Sequence, residues 1–187
     1  MRDPNQTVLK LLSEHQASDA KEVADVAMIE TFARAHACIF GKANPLGHIT
    51  GSALVLDIQG RLLLTFHAKL ERWLQVGGHS DPHEFDPADT ALREAEEESG
   101  LSDLIFHPAF GRVPMDIDVH RIPARKTEVA HDHLDFRYAL LTERPEDIVC
   151  TKESKALRWV ELHETTDLGF DPALCRAIAK VSKALNT

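Results

Sequence analysis

The feature that most constrains the fold is a sharply delimited acidic helix between apolar, strand-like segments. Residues 77–101 read GGHSDPHEFDPADTALREAEEESGL. Asp86 is a favourable N-cap residue and Pro87 suits the first helical position. Gly100 is a typical residue directly after a helix C-terminus. The pattern therefore predicts one helix that begins at Pro87 and ends before Gly100.

Segments with the character of β-strands lie on both sides of this helix. Before it, ITGSALVLD and RLLLTFH are apolar runs joined by IQG, which is typical of a hairpin, and a short RWLQV segment follows. After it come LIFHPAFGRVPMDIDVH, HLDFRYALL and ALRWVEL, and then a last helix over about residues 172–185. This order of elements predicts an α/β protein with an α/β/α layered arrangement.

The N-terminal segment predicts helices that precede the sheet. TVLKLL and EVADVAMIETFARAHACIF carry apolar residues at helical spacing, and GKANPLGH then breaks the pattern. We therefore expect an N-terminal helical extension over residues 1–45 and one α/β domain over residues 46–187. Two roles stay open for the extension: it caps the site, or it forms the interface of a homodimer.

Charge and composition argue against several classes of partner. The formal net charge is −9, so the chain offers no basic field that would attract nucleic acid or an anionic membrane. No apolar run approaches the roughly 20 residues that span a bilayer, and the N-terminus lacks the pattern of a signal peptide. The 3 cysteines are scattered and odd in number, which indicates free thiols in a reducing compartment. We expect a cytoplasmic protein whose partner is a small molecule.

Several carboxylates lie on one face of the predicted acidic helix. Glu94, Glu97 and Glu98 are spaced i, i+3 and i+4, so their side chains share a narrow face. A hard cation such as Mg²⁺ prefers oxygen ligands, and such a face supplies them. A solvated acidic face is the alternative, because like-charge pairs cost only a few tenths of a kcal/mol. Gly77 and Gly78 precede the helix, so backbone carbonyls can approach the same cation.

The segment REAEEESGL resembles the signature of the Nudix superfamily, which reads Arg-Glu-apolar-any-Glu-Glu-any-Gly-apolar. The chain matches that pattern at every position from Arg93 onward. The upstream Gly and Glu of the signature correspond to Gly78 and Glu84, with one extra residue before Arg93, which leaves the role of Glu84 open. The resemblance covers about residues 48–165 and implies a Nudix α/β/α sandwich with a mixed β-sheet.

The resemblance also implies a reaction. Nudix hydrolases typically cleave a diphosphate linked to another moiety by attack of water on phosphorus, and they use Mg²⁺ or Mn²⁺. Carried over by position, the metal ligands would be Glu94, Glu97, Glu98 and the Gly77 carbonyl. Arg93 would orient a glutamate of this set. The physical reason is general, since a bound metal ion neutralises an anionic diphosphate and activates water.

The resemblance places the general base outside the signature. In several Nudix enzymes the catalytic glutamate lies in a loop before a late strand that contains Trp. TKESKALRWVEL has this pattern, with Glu153 six residues before Trp159. Glu153 is therefore the leading candidate for general base or additional metal ligand. Glu128 and Glu143 are weaker alternatives.

A basic segment offers candidate contacts to substrate phosphates. We interpret DIDVHRIPARK, residues 116–126, as a polar loop after a strand. Its Arg121, Arg125 and Lys126 would bind phosphate groups of a substrate. The alternative is an exposed basic loop that balances an acidic protein.

The positions of several histidines suggest a second metal site. HDHLD places His131, His133 and Asp135 at alternating positions, so they face one side if the segment is a strand. Isopentenyl diphosphate isomerases share the Nudix fold and bind a further metal through histidines and acidic residues. His48, His79, His133 and Asp135 resemble those elements loosely. Such a site would bind Zn²⁺ or Mn²⁺, which accept imidazole ligands.

The leading functional prediction is a Nudix hydrolase that cleaves a diphosphate linkage in a nucleoside diphosphate derivative. One alternative is an enzyme that resembles isopentenyl diphosphate isomerase. Another is a non-catalytic, ligand-sensing Nudix domain. The intact REAEEESG favours hydrolysis, because the isomerases depart from this segment and sensing domains tend to lose its carboxylates.

Overall fold

The computed structural model describes residues 4–42, 44–67, 70–81, 83–125, 128–151 and 156–185. The helices are α1 Gln6–Glu14, α2 Ala20–Ala35, α3 Pro87–Ser99 and α4 Pro172–Leu185. The strands are β1 Gly47–Asp57, β2 Leu62–His67, β3 Arg72–Leu74, β4 Val76–His79, β5 Ile105–Phe106, β6 Asp116–Ile122, β7 His131–Thr142 and β8 Leu157–Val160. Short 3₁₀ helices span Pro145–Asp147 and Leu162–Leu168.

The strands form one mixed sheet around a central parallel pair. Strands β1 and β7 run side by side in parallel over the whole length of β1, from Gly47 opposite Asp132 to Asp57 opposite Thr142. The other pairings are antiparallel: β1 with β2 and β4, β2 with β3 and β8, and β7 with β5 and β6. Every residue of β1 is buried, as expected for a central strand covered on both faces.

Helices cover both faces of the sheet. One face carries α1, α2 and α3, which pack on alternate residues of the central strands such as Ile49 and Phe136. The opposite face carries α4, which packs on Leu54, Leu56 and Ala139. The predicted α/β class with a mixed, layered sheet is therefore confirmed.

The structure confirms the acidic helix α3 between the capping residues that predicted its two ends. The Asp86 side chain accepts a hydrogen bond from the backbone N–H of Ala88, and Gly100 adopts the left-handed conformation that ends the helix. The helix backbone lies directly on β1 at Gly51. A β-carbon added at Gly51 would approach the Pro87 carbonyl oxygen to 2.5 Å, so only glycine allows this close packing.

Residues 116–122 form β6, so the strand-like assignment that ended at His120 is confirmed there and the interpretation of residues 116–126 as a loop is wrong. The acidic side chains of β6 are buried and paired rather than solvated. Arg137 on β7 donates to Asp116 at 3.2 Å and to Asp118 at 3.3 Å, and Arg176 on α4 donates to Asp116 at 2.7 Å. These partners from other elements satisfy the hydrogen-bonding groups of the buried carboxylates in β6. The polar sequence of the strand does not by itself indicate that it is buried.

The predicted N-terminal helices are present and share the core of the sheet. Val8, Leu12, Ile29 and Ala33 belong to the same apolar cluster as the central strands. Glu22 on α2 is fully buried, and both of its carboxylate oxygens accept hydrogen bonds from Lys180 on α4, at 2.6 and 2.8 Å. Among the described residues, no helix combines the length and apolar character that would let it cross a membrane.

Candidate active site

A cleft of about 530 Å³ opens where α3 meets the polar half of the sheet. Successive side chains of a strand point to opposite faces of the sheet. At this end of β1 and β7, one set of alternate residues therefore faces the cleft, and the residues between them face the apolar core. The cleft brings together side chains from three elements: Thr50, Ser52, His133, Asp135, Glu94 and Glu98. Hydroxyl, imidazole and carboxylate groups therefore meet in one place.

Arg93 organises the acidic wall of the cleft. Its Nε and Nη2 donate to the two carboxylate oxygens of Glu84 at 2.7 and 3.0 Å, a bidentate contact. Its Nη1 donates to Glu94 at 3.0 Å and to Glu97 at 3.1 Å, and Nη2 also donates to the His79 carbonyl oxygen at 2.8 Å. The Arg93 guanidinium thus connects the end of β4 at His79 to the carboxylates of α3.

Glu84 takes part in this network despite the extra residue before Arg93. Its carboxylate also accepts hydrogen bonds from the Asp81 N–H at 2.9 Å and from the Thr90 hydroxyl at 3.0 Å. Hydrogen bonds from Arg93, and then these two contacts, lower the pKa of Glu84. The same Glu84 contact is the main reason that the pKa of Arg93 is raised. The segment between Glu84 and Arg93 accommodates the extra residue, so Glu84 still binds Arg93.

The three carboxylates of the helix face do not have equal positions. Glu94 and Glu98 line the cleft. The Glu97 side chain lies nearer the surface, with 48% of its area exposed, and Arg93 is its partner. Glu94 lies so close to Gly78 that a β-carbon there would overlap the carboxylate.

The donors on this wall fit a hard divalent cation. Glu94 and Glu98 supply carboxylate oxygens, and the backbone of Gly77 lies in the same cleft. Gly77 has a φ of 151°, and a side chain there would overlap Ser52, so the backbone can approach only because the residue is glycine. Oxygen-only donors suit Mg²⁺ or Mn²⁺ better than Zn²⁺.

A buried polar network forms the floor of the cleft around Asp135. Its carboxylate accepts hydrogen bonds from the Thr50 hydroxyl at 2.9 Å, from the Ser52 hydroxyl at 2.8 Å and from Arg137 Nε at 3.0 Å. Asp135 was predicted as a ligand of the histidine site. In the structure Asp135 accepts these three hydrogen bonds, and it lies two residues along β7 from His133.

The predicted histidines lie next to this floor. One potential ligand atom from each of His48, His79, His131 and His133 lies within 4.8 Å of those of the other three. Sequence reasoning noted the alternation in HDHLD but did not include His131 among the ligands. Its position follows from the same alternation, since β7 turns His131 and His133 towards the same face.

The other predicted site residues lie elsewhere. Arg121 is exposed on β6 and donates to Asp132 at 3.0 Å. Arg125 is exposed and forms an isolated β-bridge with Glu128. Neither arginine lines the cleft. Lys126 and the predicted base Glu153 fall outside the described residues, and Glu128 and Glu143 are exposed.

Comparison with known proteins identifies the family. A family model described as the NUDIX domain matches residues 48–180. The chain belongs to the Nudix family. The match includes the cleft, the acidic helix and the histidine strands, and it starts after α1 and α2.

Individual Nudix relatives show how far the similarity extends. The chain is 36% identical over 108 residues to a "Probable DHNTP pyrophosphohydrolase" of Lactococcus lactis subsp. cremoris (strain MG1363). That match covers 57% of this chain and 61% of the relative, so the chain spans less than two thirds of the relative's length.

Solved structures show the same fold at low identity. A Nudix-family hydrolase from Clostridium perfringens is 22% identical with a TM-score of 0.59, over 74% of this chain and 97% of that one. The binary complex of a C. elegans Ap4A hydrolase is 19% identical with a TM-score of 0.56, over the same 74% and 97%.

Proposed function

We propose that this Nudix protein is a metal-dependent diphosphohydrolase that cleaves a diphosphate linkage in a small molecule by attack of water on phosphorus. A nucleoside diphosphate derivative is the proposed substrate class. One observation carries the proposal: Arg93 binds Glu84, Glu94 and Glu97 together, on the wall where Glu94 and Glu98 line a polar cleft. A surface helix that was acidic only for solubility would not need this convergence.

In the proposed reaction, the residues of the acidic wall would bind the metal ion and keep its ligands in position. Glu94 and Glu98, with Glu97 at the rim, would hold a divalent cation, and the Gly77 carbonyl would approach it. A cation bound there would supply the positive charge that a diphosphate requires and would polarise the reacting phosphate. Arg93 holds the glutamates in place. The positive charge of a bound cation is needed because the net charge of −9 on the chain repels an anionic substrate.

Glu153 is the proposed general base. Support comes from the described residues that follow it, since the Ala156 carbonyl accepts a hydrogen bond from the Phe66 N–H at 2.8 Å. Thr65, the neighbour of Phe66, lines the cleft and pairs with Leu157 of β8. The first described residues after Glu153, Ala156 and Leu157, therefore pair with a strand that contributes to the cleft wall.

The Lactococcus relative suggests which substrate to test first. Its printed name refers to DHNTP, and 36% identity across the matched region supports DHNTP as a candidate here. We also propose that the protein acts in the cytoplasm, because Cys38, Cys150 and Cys175 are exposed free thiols, as expected in a reducing compartment.

The test is a substrate screen in which products are identified by mass. The compounds are DHNTP, Ap4A, ADP-ribose, NADH, nucleoside triphosphates and isopentenyl diphosphate, each with Mg²⁺, with Mn²⁺ and with EDTA. We expect metal-dependent cleavage of at least one compound at its diphosphate. A product of isopentenyl diphosphate that has unchanged mass but separates from it by chromatography would indicate an isomerase. Tight binding without turnover of any compound would indicate a sensing domain.

A further inference from the structure

Four histidines form a compact nitrogen cluster at the edge of the cleft, which His79 and His133 line. His48 comes from β1, His79 from the end of β4, and His131 and His133 from β7. Their potential ligand atoms lie within 4.8 Å of one another, and the Nε2 atoms of His79 and His133 are 3.1 Å apart. In a tetrahedral zinc site with Zn–N distances of about 2.0–2.1 Å, neighbouring ligand atoms lie about 3.3 Å apart. Small side-chain movements would therefore complete such a site.

The surroundings of His48, His79 and His133 also suit metal binding. Burial lowers the pKa of His133 to about 2 and that of His79 to about 3, and neighbouring basic groups reinforce both shifts. Burial likewise lowers the pKa of His48. These three shifts favour the neutral imidazole, which is the form that binds a metal.

Hydrogen bonds around the cluster leave nitrogen atoms available. The His131 Nδ1 lies 2.9 Å from the Val129 carbonyl oxygen, which can only accept, so Nδ1 carries the proton and Nε2 keeps its lone pair. This contact is the outer partner that metal-bound histidines usually have. His48 is 3% exposed, yet neither ring nitrogen makes a hydrogen bond of ordinary geometry with the described residues. A buried polar group without such a partner is costly unless it binds something else.

We propose that His48, His79, His131 and His133 bind one Zn²⁺ ion in a structural site distinct from the carboxylate site of the cleft. Nitrogen donors favour a borderline-soft ion over Mg²⁺, so the two sites differ in the ion that they select. Four protein ligands fill a tetrahedral zinc ion and leave no position for substrate, which makes the role structural.

The site links the strands to the acidic wall through His79. The side chain of His79 belongs to the cluster, while its carbonyl oxygen accepts the 2.8 Å hydrogen bond from Arg93. Zinc would fix the end of β4 against β1 and β7, and it would thereby hold the Arg93 partner in place. Binding of zinc to the folded state alone would also raise Tm.

The test measures zinc directly in the full-length protein. Chelator-stripped protein is titrated with Zn²⁺ against a chromophoric competitor, and stoichiometry is measured by elemental analysis. We expect one Zn²⁺ per chain, a raised Tm, and at least about 100-fold weaker binding in His48→Ala and His131→Ala. His163→Ala changes an exposed histidine outside the cluster and should bind zinc as the wild type does.

Two further measurements keep the outcome decisive. Glu98→Gln should leave zinc affinity unchanged, whereas loss of zinc in that variant would place the ion in the carboxylate cleft and overturn the proposal. X-ray absorption of the zinc-loaded wild type should show four nitrogen neighbours at about 2.0 Å. A first shell with several oxygens, or a wild type without tight zinc binding, would also overturn it, even if a histidine variant fails to fold.

Discussion

Gly78→Ala should separate folding from catalysis. The added methyl group would overlap the carboxylate carbon and both oxygens of Glu94. Gly78 does not have a positive φ, so alanine can adopt its backbone conformation. The obstacle is the end of a flexible side chain, and we expect the protein to fold with Glu94 displaced.

The magnitude follows from the overlap. Non-bonded carbon and oxygen atoms need about 3.5 Å, so the carboxylate must retreat by about 1 Å. That movement disturbs the 3.0 Å hydrogen bond from Arg93 and misplaces a proposed metal ligand. A displacement of about 1 Å in a catalytic group costs roughly 100-fold in rate. We therefore expect kcat/KM to fall about 100-fold while Tm changes by only a few degrees.

The assay compares steady-state kinetics and thermal unfolding of three proteins on the best substrate of the screen. Gly111→Ala is the control, because it adds a methyl group in open space outside the cleft, at a glycine with φ of 66°. It should lose about 1 kcal/mol of stability and keep its activity. A Gly78→Ala enzyme with wild-type kcat/KM would refute the assignment of Glu94 to the site.

Three further predictions concern single carboxylates. Glu97→Gln should lower kcat at least about 100-fold with normal folding by circular dichroism, because it removes a charge from the proposed metal site; a normal rate would remove Glu97 from that site. Glu153→Gln should lower kcat more than it raises KM in steady-state kinetics, and an unchanged kcat would move the base elsewhere. Glu22→Gln should lose about 3 kcal/mol in urea unfolding at pH 7, because Lys180 is left with an incomplete partner. Burial raises the pKa of Glu22, but hydrogen bonds outweigh it and lower the pKa, so this difference should shrink as pH falls below about 4.3; a constant difference would contradict the ion pair.

The acidic helix was predictable because its signals are local. Asp86, Pro87 and Gly100 mark its ends within the chain itself, and the helical repeat alone puts Glu94 and Glu98 on one face. The cleft-lining positions of those two glutamates agree with that geometry. Capping residues and helical periodicity can be recognised in the local sequence without knowing the rest of the fold.

Features that depend on distant partners were harder to predict. Strand β6 contains Asp116 and Asp118, which are buried only because Arg137 and Arg176 approach from other elements. The sequence near β6 does not reveal those partners, so its polar residues allowed a loop as well as a strand. Local alternation puts His131 and His133 on one face of β7, but their proximity to His48 depends on the register that pairs β7 with β1, which the local sequence does not specify.

The most direct test of the central claim compares Glu98→Gln with Glu96→Gln in a Mg²⁺-dependent turnover assay. Both changes remove one negative charge from α3, but Glu98 lines the cleft and Glu96 is exposed to solvent. We predict that Glu98→Gln loses at least about 100-fold in kcat, that Glu96→Gln stays within about 2-fold of wild type, and that EDTA abolishes turnover in all. Equal activity of the two variants, or turnover that persists in EDTA, would contradict a metal-dependent hydrolase centred on this face of α3.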